Sequence, residues 1–203
     1  MSRYTGPKCR LCRREGVSLC GKEKCALKKK NYIPGMHGPK GSFAKKSEYA
    51  RQLREKQKLK RLFGITERQL SNYFEKAGKM KDITGDALLK LLEYRLDNVI
   101  YRSGIAKTRN QARQMVNHGL FKVNNIKINI PSLQMKAGDK FEAIARIKKS
   151  KLFAEVEKQK YAPAKWIKVD YKTLMGEVTR PIEKEELESI IQSNLIVEFY
   201  SKA

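Results

Sequence analysis

Residues 94–119 read YRLDNVIYRSGIAKTRNQARQMVNHG, and their pattern decides the fold class. An apolar helix runs into a tight break, and a second helix opens at Thr108 and closes at Gly119. Thr108 and Gln111 stand three apart, the spacing of a capping box. Gly119 supplies a left-handed stop. Arg109 and Arg113 fall one turn apart on one face, with Ala112, Met115 and Val116 on the other. A short, capped helix with a cationic face and a positive N-terminal end is suited to phosphate.

Beyond Gly119 the period changes to two. Phe121, Val123, Ile126, Ile128 and Ile130 alternate with polar residues, and Asn124–Asn125 reads as a hairpin turn. Pro131 ends the second strand. Gly138–Asp139 marks another turn before a strand expected over 141–147, and AKWIKVD at 164–170 reads as a further strand. On the other side, one helix is expected across Asp86–Arg102, buried through Leu88, Leu89, Leu92, Leu96, Val99 and Ile100. Asp97 within it reads as a local cap or ion-pair partner. Earlier still, Ser47 opens a helix that stops at Gly64, and Thr66 with Gln69 opens one that ends at Gly78. Pro181 is expected to begin the last helix, with Glu183, Glu185 and Glu186 in its first turns. Leu187, Ile190, Ile191 and Leu195 would form its apolar face. The fold class is therefore α+β, a mainly helical part joined to a helix pair with a small antiparallel sheet.

The chain of 203 residues carries 45 Lys+Arg against 21 Asp+Glu, a formal net charge of +24. Self-repulsion of this size disfavours a compact monomer unless a polyanion is present, which points to nucleic acid. The excess is uneven: residues 1–60 hold 18 Lys+Arg and 4 Asp+Glu, a net of +14. A membrane partner is not expected, because no apolar run approaches the ~20 residues of a span and no cationic amphipathic helix carries a Trp/Phe/Leu face. No signal peptide is read in the polar, basic Met1–Arg14, so a cytoplasmic location is expected.

In that compartment the cysteines need a reason other than disulfides. Cys9, Cys12, Cys20 and Cys25 follow the pattern C-x2-C-x7-C-x4-C. A Cys-x-x-Cys pair puts two thiolates on one edge of a metal, and a second pair completes a tetrahedron. One structural Zn2+ is expected, and an iron–sulfur cluster ranks behind it. Lys8, Arg10, Arg13 and Arg14 crowd the first pair and offset the charge of a four-thiolate centre. His37 sits among Gly35, Met36, Gly38 and Pro39 and reads as a loop residue. Residues 26–46 form a basic connector containing Lys45 and Lys46. In the helix after Ser47, Arg51, Arg54, Lys58 and Arg61 fall within an arc of about 80°, while Lys56 and Lys60 intrude on the apolar side and would have to snorkel. The candidate RNA contacts are Lys8, Arg10, Arg13, Arg14, Lys45, Lys46, Arg51, Arg54, Lys58 and Arg61, together with Lys107, Thr108, Arg109, Arg113, His118 and Lys122.

The segment LEYRLDNVIYRSGIAKTRNQARQMVNHGLFKVNN at 92–125 resembles the RNA-binding domain named after small ribosomal subunit protein four. The start SRYTGPKCRLCRREG, the segment KSEYARQLREKQKLKRLFGITERQL and the end LIVEFYSKA resemble the bacterial form of that ribosomal protein family, in its four-cysteine version. The resemblance implies an N-terminal metal module and arm (1–46), a helical domain (47–86) completed by the C-terminal helix 176–203, and an inserted RNA-binding domain (87–175). It implies a structural constituent of the small ribosomal subunit that binds 16S ribosomal RNA at a junction of the 5′ domain and nucleates assembly of the subunit body. The implied neighbours are small-subunit proteins five and three, beside the channel by which messenger RNA enters, where decoding accuracy is influenced. No small-molecule substrate is implied. The alternative is a stand-alone RNA-binding regulator, a translational repressor or a transcription antiterminator. An enzyme is not expected: no Ser/His/Asp grouping or phosphate-binding Gly loop appears, and no spare segment of ~150 residues exists for a catalytic domain. The dominance of Lys and Arg over stacking aromatics (Tyr4, Tyr32 and Phe43) suggests recognition of phosphates, 2′-hydroxyls and shape rather than of bases.

Overall fold

The computed structural model describes residues 4–40, 47–145 and 162–202. Lys45, Lys46 and Phe43 lie outside the described residues, as does the end of the strand expected over 141–147. Chain contacts group residues 1–89 with 188–203 as one unit and residues 90–187 as a second.

In the first unit, helix α1 spans Lys8–Glu15 and α2 spans Glu48–Phe63. Ser47 caps α2 by accepting from the Ala50 N–H, and Gly64 ends it at φ 62°. Helix α3, Glu67–Gly78, opens on a complete capping box in which Thr66 and Gln69 satisfy each other's backbone N–H groups. Helix α4 spans Thr84–Glu93. The C-terminal helix, Ser193–Ser201, lies along α2. Gln52 donates to Glu198 at 2.8 Å, and the Gln192 N–H donates to Glu55 at 2.8 Å. Tyr49 packs on Phe199 with ring centroids 5.8 Å apart.

Lys56, expected to snorkel, is instead only 7 % exposed. Its ammonium donates to Glu67 at 2.7 Å and sits 4.2 Å from the Phe199 ring centroid. Glu67 also accepts from Lys60 and from the Tyr200 hydroxyl. Burial alone would raise the Glu67 pKa, but the hydrogen bonds from Lys56 and Lys60 outweigh it and hold the carboxyl below its usual range. The phenol of Tyr200 is pushed well up by burial and by that neighbouring carboxylate.

The second unit contains α5 (Leu96–Arg102), α6 (Arg109–Asn117) and a five-stranded antiparallel sheet in the order β2-β1-β3-β5-β4. The strands are β1 Phe121–Val123, β2 Ile126–Ile128, β3 Lys140–Ala143, β4 Ile167–Asp170 and β5 Met175–Val178. Phe121, Val123, Phe141, Ala143, Ile167 and Val178 are buried. Gly176 stands opposite Phe141 across the β3–β5 ladder, and a Cβ there would lie 2.3 Å from Cζ of that ring. Glycine at 176 is thus demanded by packing, the ring covering the bare backbone.

The hairpin turn uses Asn124 at φ 48° and Asn125 at φ 68°, the type I′ signature. The Asn124 side chain ties the turn to β3 by accepting from the Lys140 N–H at 3.0 Å and donating to Asp139 at 2.9 Å. Asn125→Gly is expected to leave stability near the parent value. Asn125→Val should cost roughly 1–2 kcal/mol, because a side chain in the left-handed region is strained and a β-branched one most of all. Urea titration decides it, and equal midpoints for Val and Asn would mean the turn does not hold the register.

Three expectations are corrected. The single helix across Asp86–Arg102 is two helices, α4 and α5, broken at Tyr94–Arg95 with Arg95 extended at ψ 137°. There the backbone pairs with residues 133–135 instead: the Leu96 N–H donates to Leu133 O, and the Met135 N–H to Tyr94 O at 2.8 Å. Pro181 does not begin the last helix. Glu183 and Glu186 box a 3-10 turn at Lys184–Glu186, closed on Arg180 by ion pairs of 2.7 Å, and the last helix starts at Ser193. Residues 176–187 fall in the second unit rather than with the C-terminal helix, because 175–178 form β5, a strand the sequence pattern did not suggest.

Candidate nucleic-acid interface and metal centre

Helix α1 sets Cys9 and Cys12 about one turn apart, and Gly16 ends it at φ 69° so that the chain returns with Cys20 and Cys25. The Sγ atoms of Cys9, Cys20 and Cys25 all lie within 4.8 Å of one another. Thiolates arranged tetrahedrally around zinc would stand about 3.8 Å apart, given Zn–S bonds of ~2.3 Å. Cys12 is buried beside them and shares a hydrogen bond with Cys20. Leu19 and Leu27 pack against this sulfur cluster.

Backbone N–H groups converge on the sulfurs: Leu19 and Cys20 on Cys12, Lys22 on Cys20, and Leu27 on Cys25. Such donors stabilise thiolate, the form that binds metal. Burial pushes the Cys12 thiol up to about 12 and also raises Cys20. Burial opposes ionisation of Cys25 as well, but hydrogen bonds from Leu27, Cys20 and Ser18 bring it down to about 7. A bound cation deprotonates its thiols outright. The donor set fits a thiolate-binding metal, whereas His37 is exposed and outside the sulfur cluster.

Around this centre, Arg10 and Arg14 are exposed. Lys8 donates to Tyr4 O, and Arg13 donates to Tyr32 O at 3.0 Å while lying over the Tyr32 ring. Arg13 therefore folds the basic connector back onto α1.

The basic stripe of α2 divides in two. Arg51 is exposed. Arg54 and Arg61 converge on Glu15, whose side chain is 2 % exposed, with Arg54 at 3.3 Å. Burial raises the Glu15 pKa above its usual range, and Arg61 and Arg54 offset only part of that rise. Lys58 pairs with Glu55 at 2.7 Å. Three of the four stripe residues thus hold α1 or their own helix in place as well as carrying charge.

In the second unit, Thr108 caps α6 by accepting from the Gln111 N–H. The reciprocal bond goes one residue further back, with Gln111 accepting from the Lys107 N–H at 3.0 Å. Gly119 follows the helix at φ 64°. Lys107, Asn110, Gln114, Asn117 and His118 are exposed, and Lys122 pairs with Glu142 at 3.7 Å. The expectation that Arg109 and Arg113 share one open cationic face needs revision. Arg113 is 9 % exposed and stands 3.7 Å from Asp97, which also takes two hydrogen bonds from the fully buried Arg95. Arg109 is partly exposed, donates from Nε to Asn98 at 2.9 Å and lies 4.4 Å over the Tyr101 ring.

Two family descriptions match the chain: "Ribosomal protein S4/S9 N-terminal domain" over residues 3–93, and "S4 domain" over residues 95–141. The small ribosomal subunit protein uS4 of Thermodesulfovibrio yellowstonii is 49 % identical, with both chains covered in full. The uS4 of Caldicellulosiruptor bescii is also 49 % identical, and that of Natranaerobius thermophilus 46 %, again over the whole of both chains. The chain belongs to the uS4 family.

A uS4 chain is a structural, ribosomal RNA-binding protein of the small subunit and not an enzyme. Glu93, Arg95 and Asn98 beneath α6 are the part of the site that pattern reading missed, whereas Asp97 is the ion-pair partner expected of it. Glu93 is 1 % exposed and accepts from Arg102 at 2.7 and 2.9 Å and from Asn98. Glu93, Arg95, Asp97 and Asn98 all sit at buried positions of an otherwise apolar run. That run of polar residues on a core face was the available signal, since buried charges persist only when paired. In this uS4 chain they anchor the helix that carries Arg109.

Proposed function

We propose that this chain binds 16S ribosomal RNA at a junction of the 5′ domain, nucleating the body of the small subunit, with basic surfaces on each of its two units. The similarity to small-subunit proteins over the whole of both chains carries this reading, and it favours a resident constituent over a stand-alone regulator. The contact residues of the first unit are Lys8, Arg10, Arg13, Arg14, Lys45, Lys46, Arg51, Arg54, Lys58 and Arg61. Those of the second are Lys107, Thr108, Arg109, Arg113, His118 and Lys122, with Arg113 acting mainly from within. Cys9, Cys12, Cys20 and Cys25 hold one structural Zn2+, supported by the sulfur cluster and its N–H donors. The metal module and arm comprise residues 1–46, followed by the helical domain and the RNA-binding domain. Small-subunit proteins five and three are the neighbours, beside the channel by which messenger RNA enters.

The test is co-sedimentation with small subunits washed at high salt. The chain should remain with the particles at stoichiometric amounts. Recovery only in the free pool would favour the regulator.

A further inference from the structure

Arg109 is the one arginine of α6 that is not buried, and its guanidinium is held from two sides. Asn98 Oδ1 accepts from Nε at 2.9 Å, and the Tyr101 ring lies 4.4 Å beneath the plate. Asn98 is itself fixed. It is 1 % exposed, and its Nδ2 donates both to the Glu93 backbone carbonyl at 3.1 Å and to the Glu93 carboxylate. Arg102 clamps both oxygens of that carboxylate, donating to Oε2 at 2.9 Å and to Oε1 at 2.7 Å.

We infer that Asn98 is a positioning residue for RNA binding, transmitting the fixed geometry of the Glu93–Arg102 pair to the guanidinium of Arg109. This rests on the proposed role of Arg109 as a phosphate contact. The chemistry gives a reason for the chain of bonds. An arginine side chain has many rotamers, and ordering it at the moment of binding costs affinity. A planar fork recognises phosphate by direction as well as charge. Asn98 also fits its place better than a carboxylate would, because an amide can donate to Glu93 and accept from Arg109 at once. An aspartate there would face Glu93 with like charge. The amide orientation thus follows from its two partners.

The test uses the full chain and small-subunit ribosomal RNA, comparing Arg109→Ala, Asn98→Ala, Tyr101→Ala and the double variant Asn98→Ala/Arg109→Ala, with thermal melting of each. Arg109→Ala should weaken binding roughly 10- to 100-fold, the range for a charged hydrogen-bonded contact. Asn98→Ala should weaken it about 5- to 20-fold and lower the magnitude of the salt slope by nearly one phosphate contact, although the helix keeps its charge. The double variant should bind no more weakly than Arg109→Ala. Tyr101→Ala should follow Asn98→Ala, which keeps the inference open to refutation if Asn98→Ala fails to fold. Parent-like binding by Asn98→Ala, or additive losses in the double variant, would overturn the positioning role while leaving Arg109 as a contact. Parent-like binding by Arg109→Ala would overturn the contact and the positioning role together.

Discussion

Treating the protein with a strong chelator is expected to release one equivalent of zinc and to unfold residues 8–28, while the second unit keeps its structure. Among the described residues, only Leu19 and Leu27 pack against the sulfurs at the centre of this module, so its folding is expected to depend on a bound metal. For metal-dependent modules the apparent binding free energy, about 10–16 kcal/mol at neutral pH, is also folding free energy. The effect should reach α2. Glu15, at the end of α1, is where Arg54 and Arg61 converge, and unfolding α1 removes their carboxylate. Amide exchange should therefore accelerate throughout 8–28 and the α1-facing surface of α2 should loosen, with α5, α6 and the sheet unchanged. Zinc-free and iron-free protein after anaerobic purification, or unchanged protection after chelation, would contradict a structural metal.

Asp97→Ala is expected to be the most damaging single substitution in the second unit. It removes the carboxylate shared by Arg95, which is fully buried, and Arg113. Breaking a buried pair from one side leaves an uncompensated charge and costs about 3–5 kcal/mol. In a unit of this size that lowers Tm by roughly 15–25 °C. Adding Arg113→Met to Asp97→Ala should recover part of the loss, since it withdraws one of the two cations that faced the lost carboxylate. Calorimetry checks both. A parent-like Tm for Asp97→Ala would mean that Arg95 and Arg113 do not depend on this carboxylate.

These two results concern groups of unequal legibility. The cysteine spacing announced the sulfur cluster, because donor groups suited to one ion must be close together along a short loop. The Thr66–Gln69 box and the Asn124–Asn125 turn were legible for the same reason, since capping and turn geometry are local. The break at Tyr94–Arg95 was not, because its cause lies forty residues away, in backbone bonds to Leu133 and Met135, while the apolar period runs on across it. The basic stripe of α2 was correctly placed on one helical face, but periodicity reports only where a side chain leaves its own helix. It could not show that Glu15 takes up two of the four cations. Arg113 repeats the lesson: it sits one turn from Arg109, yet Asp97 draws one inward while Asn98 and Tyr101 steady the other near the surface.

We propose that the chain grips ribosomal RNA chiefly through its phosphates. The measurement that tests it most directly is the affinity of the full chain for small-subunit ribosomal RNA across a range of salt concentrations. Engagement of roughly 8–10 phosphates predicts a log–log slope of about −7 to −9, with affinity falling by several orders of magnitude between low and high salt. An affinity that stays level as salt rises would contradict the account.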